Sequence, residues 1–238
     1  MTSQPERYGP VFGVPAELPR GPHRLTREQV ASSQRARLMA GIAEAVADRG
    51  YAATTIDDIT GRAGVSPRTF YEHFNDKLDC FVAAYDAMIA VLYERIGAEL
   101  SEDADWHDFV VSSLSAYLGT LDENPAASRA FVVEVDGAGP DARQRRREAY
   151  QRFADLLEAR HGEIRRRDRT LGPLPNHVFL GLVHGVRELA RDALEERPQS
   201  PLLEMVPDIL FWITATIRGA SAAADELAEW QLARVSSS

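Results

Sequence analysis

A short polar segment in the first third of the chain carries side chains suited to recognising nucleic acid. Phe70 and Phe74 lie four residues apart, so on a helix both point inward. The residues left to face outward are Arg68, Thr69, Glu72 and His73, with Tyr71 at the margin. The guanidinium fork of an arginine matches the O6 and N7 acceptors of guanine, which makes Arg68 the candidate for reading a base edge.

The flanking residues predict two short helices joined by a tight turn. Thr55 and Asp58 have the spacing of a capping box, which starts the first helix and places a carboxylate at its positive end. Gly64 is suited to the left-handed conformation that ends a helix, and Ser66 followed by Pro67 starts the next one. The buried stripe of the first helix is predicted to be Ile56, Ile59 and Ala63. This arrangement is a helix-turn-helix, whose second helix fits the DNA major groove.

Residues 34–80 resemble the DNA-binding domain of the TetR family of bacterial transcriptional regulators. The resemblance is carried by Gly50-Tyr51, Thr54-Thr55-Ile56, Ala63-Gly64-Val65-Ser66, Thr69-Phe70-Tyr71-Glu72-His73-Phe74 and Lys77. It implies an all-α fold with an N-terminal three-helix DNA-binding domain and a larger helical domain for ligand binding and dimerisation. It also implies a homodimer that binds a palindromic operator, usually represses transcription, and releases the operator when a small molecule binds.

The resemblance further assigns roles to single residues. Thr69 occupies a position that touches a base edge or methyl group. The predicted phosphate contacts are Thr55, Ser66, Tyr71 and Lys77, and His73 is suited to either kind of contact. Lys77 is the only lysine of the chain, and an ordinary solvated lysine is the alternative interpretation.

Composition is that of a globular protein with an uneven distribution of charge. The chain has 238 residues, 45% of them hydrophobic, and a net charge of -9. Residues 20–80 hold nine basic and eight acidic side chains, so the acidity lies in the remainder of the chain. No apolar run is long enough to cross a membrane, no secretory signal is evident, and the single Cys80 forms no internal disulfide. These features predict a cytoplasmic protein in which Cys80 is a core residue, and the family resemblance implies a bacterial one.

Prolines and glycines divide the chain into three parts. We expect an extended, mostly disordered arm over 1–25, whose basic end is a candidate for minor-groove contact, then a DNA-binding domain over 26–80 and an effector-binding and dimerisation domain over 81–238.

Thr26 is predicted to cap the first helix, with Val30, Leu38, Ile42 and Val46 on its inner stripe. Arg35 and Arg37 on this helix are suited either to phosphate contact or to a solvated face. Later helices are predicted near 76–99, 105–121, 125–136, 140–162, 174–196 and 202–230, with Pro207 kinking the last or opening it late.

The C-terminal part carries weaker signals. The apolar segments 178–190 and 209–217 suit a four-helix interface between two subunits, although an intramolecular core gives the same pattern. Candidate ligand-binding aromatics are Phe109, Tyr117, Phe131, Phe153 and Trp212, and core packing is the alternative for each. His177, His184 and Glu188 share a helix face, for which a polar patch or dimer contact is favoured over a metal site. No cofactor is predicted.

Three classes of function follow from these patterns. The favoured one is a regulator that binds DNA and responds to a small apolar or amphipathic effector. The second is a regulator that answers to a protein partner. The third is an enzyme, which is disfavoured because the sequence has no phosphate-binding loop, nucleophile elbow, zinc spacing or dinucleotide fingerprint.

Overall fold

The computed structural model describes residues 10–12, 26–99 and 103–219, and within these ranges it is all-α, as predicted. The helices are α1 Arg27–Arg49, α2 Ile56–Ala63, α3 Pro67–His73, α4 Lys77–Glu99, α5 Trp106–Glu123, α6 Pro125–Ser128, α7 Pro140–Arg167, α8 Asn176–Glu196 and α9 Val206–Arg218. No helix in these ranges is both long and apolar enough to span a membrane.

The chain divides into two compact units. Unit 1 comprises Met1–Tyr93 and Glu123–Arg145, and unit 2 comprises Glu94–Asp122 and Arg146–Ser238. The predicted division into an arm, a domain over 26–80 and a domain over 81–238 stays a prediction. Within the predicted arm, Pro10–Phe12 form a 3-10 turn in which Val11 is buried and donates its N–H to Oδ1 of Asn124 at 3.4 Å. The remainder of the arm, with its basic end at residues 20 and 24, lies outside the described residues.

The core of unit 1 forms around the C-terminal half of α1. The capping box at Thr26 is present, and Leu38, Ile42 and Val46 are fully buried, as predicted. The prediction for Val30 is wrong, because this side chain is 37% exposed. Residues 26–32 are all exposed, so α1 begins to pack only after its first turns.

The segment 125–136 is predicted as one helix, but the chain changes its helical winding twice between residues 125 and 138. Four α-helical residues of α6 are followed by a π-turn at Arg129–Val133 and a 3-10 turn at Glu134–Ala138. Arg129 donates from Nε to the carbonyl oxygen of Ala47 at 3.1 Å, which joins this segment to α1. Phe131 is buried with its ring 5.2 Å from that of Phe81.

Unit 2 contains α5, most of α7, α8 and α9. The connection into α9 is fixed by the Asp122 carboxylate, which accepts the backbone N–H groups of Leu202 and Leu203 at 2.8 and 3.1 Å. Pro207 lies in the first turn of α9, where a proline costs no hydrogen bond, so it opens the helix rather than kinking it. The predicted continuation to residue 230 lies outside the described residues.

Candidate nucleic-acid interface

The helix-turn-helix is assembled from local caps that the sequence predicts. The Thr55 hydroxyl accepts the N–H of Asp58 at 3.2 Å, and the Asp58 carboxylate accepts the N–H of Thr55 at 2.9 Å. The Asp58 carboxylate also accepts the hydroxyl of Thr55 at 2.7 Å. The hydroxyl and backbone N–H of Thr55, reinforced by Arg49, lower the pKa of Asp58 to about 2. Gly64 ends α2 with a φ of 62°, the left-handed conformation that favours glycine.

The second helix of the motif is short and presents its polar side chains to solvent. Ser66 caps α3 by accepting the N–H of Thr69 at 3.1 Å, and its hydroxyl lies 3.0 Å from that of Thr69. Phe70 and Phe74 are buried, as predicted, and they anchor α3 to the protein core. Arg68 is 90% exposed and its Nε lies 3.3 Å from the Glu72 carboxylate. The Arg68 guanidinium is therefore available to an approaching duplex, with a neighbouring carboxylate that holds it in place.

Two arginines of α1 donate hydrogen bonds to backbone carbonyl oxygens at the C-terminal ends of α2 and α3. Arg37 donates to the carbonyl oxygens of Ala63 and Gly64, the latter at 2.8 Å. Arg35 donates to the carbonyl oxygen of His73 at 3.2 Å, and its guanidinium lies 4.4 Å from the centre of the Phe74 ring. A cation at this end of a helix is favoured by the helix dipole. Through these contacts both arginines position the helices of the motif. The sequence analysis considered only phosphate contact or a solvated face for them.

Lys77 has a similar internal role. Its ammonium donates to the carbonyl oxygens of Tyr51 and Thr54 at 2.7 and 2.8 Å and lies 4.3 Å from the centre of the Tyr51 ring. Partial burial lowers the pKa of this ammonium. Lys77 thus holds the turn that precedes α2, and the solvated alternative is wrong. A phosphate contact through its third N–H stays a prediction.

The exposure of two α3 residues differs from expectation. His73 is expected to face outward, but it is half-buried with Nε2 3.2 Å from Oε1 of Gln34 on α1. Burial and the charge of Arg35 lower the pKa of His73. Tyr71, expected at the margin, is 60% exposed because Phe70 occupies the inward position beside it. The outward surface of α3 is therefore formed mainly by Arg68, Tyr71 and Glu72.

Residues 38–84 match the family of bacterial regulatory proteins described as the tetR family. The helix-turn-helix of this chain is therefore of the TetR type. The match covers α2 and α3 completely, together with their capping residues Thr55 and Ser66, so the sequence resemblance is confirmed.

A curated protein that is similar to half of this chain is a transcriptional regulator. The HTH-type transcriptional activator FasR of Mycolicibacterium smegmatis is 28% identical over 122 residues, which is 51% of this chain and 53% of that protein. The alignment therefore spans about half the length of this curated relative.

Two solved structures share the fold at low sequence identity. Bacillus subtilis FadR in complex with stearoyl-CoA has a TM-score of 0.68 and 16% identity, over 77% of this chain and 97% of that one. A transcriptional regulator from Saccharomonospora viridis in complex with choline has a TM-score of 0.63 and 20% identity, over 78% of this chain and 98% of that one.

The predicted ligand-binding aromatics do not form one group. Phe131 belongs to the core of unit 1, whereas the other four lie in unit 2. Phe109 is fully buried, Tyr117 and Phe153 are half-buried, and Trp212 is 36% exposed. A cleft of about 360 Å³ in unit 2 is lined by residues around the α8–α9 connection, including Leu189, Arg197 and Asp208, and by none of the five. The sequence identified these five aromatic residues as candidates, but it could not show whether each of them packs in unit 1 or in unit 2.

Proposed function

We propose that the chain is a homodimeric transcriptional repressor that binds a palindromic operator and releases it when a small amphipathic molecule enters unit 2. The observation that carries the DNA-binding part is the geometry of α3. Its buried face is anchored by Phe70 and Phe74, its C-terminal end is held by Arg35, and Arg68 and Tyr71 extend into solvent. Recognition helices of this kind read base edges in the major groove.

Within this proposal, the residues of α3 and its cap make two kinds of contact with DNA, to base edges and to phosphates. Arg68 reads a base edge, and Thr69 lies beside it on the same helix. Ser66 and Tyr71 contact phosphates, and both residues are exposed, one as the cap of α3 and the other on the helix itself. Thr55, His73 and Lys77 already have hydrogen-bond partners within the protein. Lys77 keeps a third N–H for a phosphate, whereas the single O–H of Thr55 is donated to the Asp58 carboxylate, so Thr55 must exchange that partner to contact DNA.

Exposed apolar side chains on α8 and α9 support the dimer. Leu189 is 41% exposed, and Phe211 and Trp212 are each 36% exposed. The Trp212 ring packs directly on Gly185 of α8, where an added Cβ would lie 2.4 Å from Cη2 of the ring. Large exposed apolar side chains on two adjacent helices favour a second copy of the same surface, which would form a four-helix interface.

Two observations support an amphipathic effector. One solved structure of the same fold contains stearoyl-CoA and another contains choline, so the fold accommodates ligands with long apolar or charged parts. In unit 2 of this chain, Arg187 is 6% exposed, and its Nη1 donates to the Glu188 carboxylate at 2.7 Å. A buried guanidinium with several N–H donors suits the polar or charged end of such a ligand.

Binding of the full-length protein to the DNA upstream of its own gene tests this function. Fluorescence anisotropy with a labelled duplex from that region is expected to show tighter binding than with a scrambled duplex of equal length. Stearoyl-CoA is the first effector probe, and it is expected to lower the affinity for the specific duplex only. Equal affinity for both duplexes would contradict operator recognition.

One further candidate has specific support from a relative of the chain. The relative FasR is named an activator, which favours activation as the alternative sign of regulation. Transcription from the target promoter in vitro, with and without the protein, distinguishes the two signs. A regulator controlled by a protein partner is the other alternative, and it predicts operator binding that no small molecule changes.

A further inference from the structure

The two exposed charged side chains of α3 are placed against the helix dipole. Arg68 lies in the first turn of this helix and Glu72 in the last, whereas the dipole favours an anion at the start and a cation at the end. Their side chains are 90% and 56% exposed, and an ion pair with that exposure contributes little to stability. The fold therefore gains little from this pair, so its arrangement indicates a role in contact with another molecule.

The contact between these side chains determines which edge of the guanidinium remains available. Arg68 donates the N–H of Nε to Oε1 of Glu72 at 3.3 Å. The remaining four N–H groups belong to Nη1 and Nη2, and these two nitrogens form the end of the planar group opposite Nε. Guanine presents O6 and N7 side by side in the major groove, which matches two neighbouring N–H donors. Glu72 therefore orients Arg68 and leaves free the edge that pairs with guanine.

The second carboxylate oxygen of Glu72 is open to another partner. Among the residues that the structure describes, the Glu72 side chain makes its one hydrogen bond to Arg68 through Oε1. An ionised carboxylate only accepts hydrogen bonds. In the major groove cytosine presents an N4 amino donor, whereas thymine and guanine present acceptors and adenine places its N7 acceptor beside the amino group. Cytosine is therefore the base that suits Oε2, and acceptor atoms on the other three bases repel it.

We propose that Glu72 determines sequence specificity at two bases, with Oε1 positioning Arg68 on a guanine and Oε2 accepting the N4 amino group of a cytosine at a neighbouring base pair. The two residues are about 6 Å apart along the helix axis, given a rise of about 1.5 Å per residue, so both reach the same short stretch of groove. On a duplex without this cytosine the carboxylate meets acceptors and phosphates only, which lowers binding to unrelated sequences. This inference rests on the proposed function, in which α3 reads an operator, and it adds a second base to that reading.

Base preference tests the proposal on the full-length protein. Duplexes are selected from a randomised library by the unsubstituted protein and by Glu72→Gln, and the selected sequences are compared. The unsubstituted protein is expected to select a guanine with a cytosine at the neighbouring pair, and to prefer that cytosine to thymine at least about fivefold. A carboxamide both donates and accepts, so Glu72→Gln is expected to lose this preference and to select adenine there instead.

Asp57→Asn is the matched control, because it removes the same charge from an exposed residue of α2. It is expected to bind all duplexes slightly more tightly, since one repulsive charge is lost, and to keep the preference for cytosine. Loss of the cytosine preference in Asp57→Asn as well would assign the effect to net charge and overturn the proposal.

Modified duplexes make the result independent of how well the variants fold. Pyrimidin-2-one in place of the selected cytosine removes the N4 amino group, and 7-deazaguanine in place of the selected guanine removes N7. Each change is expected to weaken binding of the unsubstituted protein at least about fivefold, whereas the same bases placed outside the half-site have no effect.

Three results would contradict this role of Glu72. They are the absence of a cytosine preference, the same preference in Glu72→Gln, and unchanged affinity for the duplex with pyrimidin-2-one. In each of those cases, tighter binding to the upstream duplex than to its scrambled counterpart would leave the proposed function intact.

Discussion

At the scale of single residues, substitution of the exposed Arg68 distinguishes a base contact from a phosphate contact. Arg68→Ala is expected to weaken binding to the specific operator by about 1–3 kcal/mol and to leave binding to unrelated duplex unchanged. A base contact does not change the number of neutralised phosphates, so the slope of log affinity against log salt is expected to stay the same. Anisotropy titrations at several salt concentrations measure both quantities.

The control for this substitution is Arg68→Lys, which keeps the charge but loses the planar fork. It is expected to retain binding to unrelated duplex and to lose most of the specific affinity. A uniform loss with every sequence, accompanied by a shallower salt slope, would instead identify Arg68 as a phosphate contact.

The capping carboxylate of Asp58 predicts acid sensitivity of unit 1. Hydrogen bonds from Thr55 and the neighbouring Arg49 lower the pKa of Asp58 to about 2, below its value of about 4 in an unfolded chain. The ionised form is therefore favoured in the folded state, and its stabilisation is fully present above about pH 4 and is lost as the pH falls toward 2. The difference in melting temperature between the unsubstituted protein and Asp58→Asn is expected to shrink across this range.

The neighbouring exposed carboxylate of Asp57 provides the comparison for this pH effect. Asp57→Asn removes a charge from the same helical turn without removing the capping box. If the two variants show the same dependence of melting temperature on pH, the effect reports net charge at the helix end rather than the cap.

At the scale of secondary structure, the close crossing of α1 and α2 depends on Gly41. A Cβ at this position would lie 2.8 Å from the carbonyl oxygen of Ile59 and 3.3 Å from the backbone nitrogen of Ala63. Both atoms belong to the α2 backbone, so the helices must separate to accommodate an alanine. Gly41→Ala is expected to destabilise the protein by about 1–3 kcal/mol in urea unfolding.

Gly61 on α2 is the matched control, because nothing lies within 4 Å of the Cβ that alanine would add there. Gly61→Ala is expected to stabilise the protein by up to about 1 kcal/mol through helix propensity alone. Destabilisation by both substitutions would show that helical glycine is required here for a reason other than the crossing.

The same elements show which parts of the site the sequence predicts. The Thr55–Asp58 box, the Gly64 terminus and the Ser66–Pro67 start follow from rules that act within four residues, and all three are present. Arg37 and Lys77 act on carbonyl groups 23 to 27 residues away, so no local pattern identifies their roles. The changes in helical winding between residues 125 and 138 are not predictable from local sequence for the same reason. They depend on packing against α1, which is distant in sequence.

At the scale of the whole molecule, operator binding requires two recognition helices held in fixed relation, which the α8–α9 surface is proposed to provide. Leu189→Arg places a charge at an α8 side chain that is 41% exposed, and it is expected to yield a monomer by light scattering coupled to gel filtration. Loss of bivalent contact is expected to lower operator affinity by about 10²–10⁴-fold while leaving affinity for a single half-site unchanged. Val30→Arg, at a 37% exposed apolar residue of α1, controls for the added charge and is expected to remain dimeric. A Leu189→Arg protein that stays dimeric and binds operator normally would place the subunit contact on another surface.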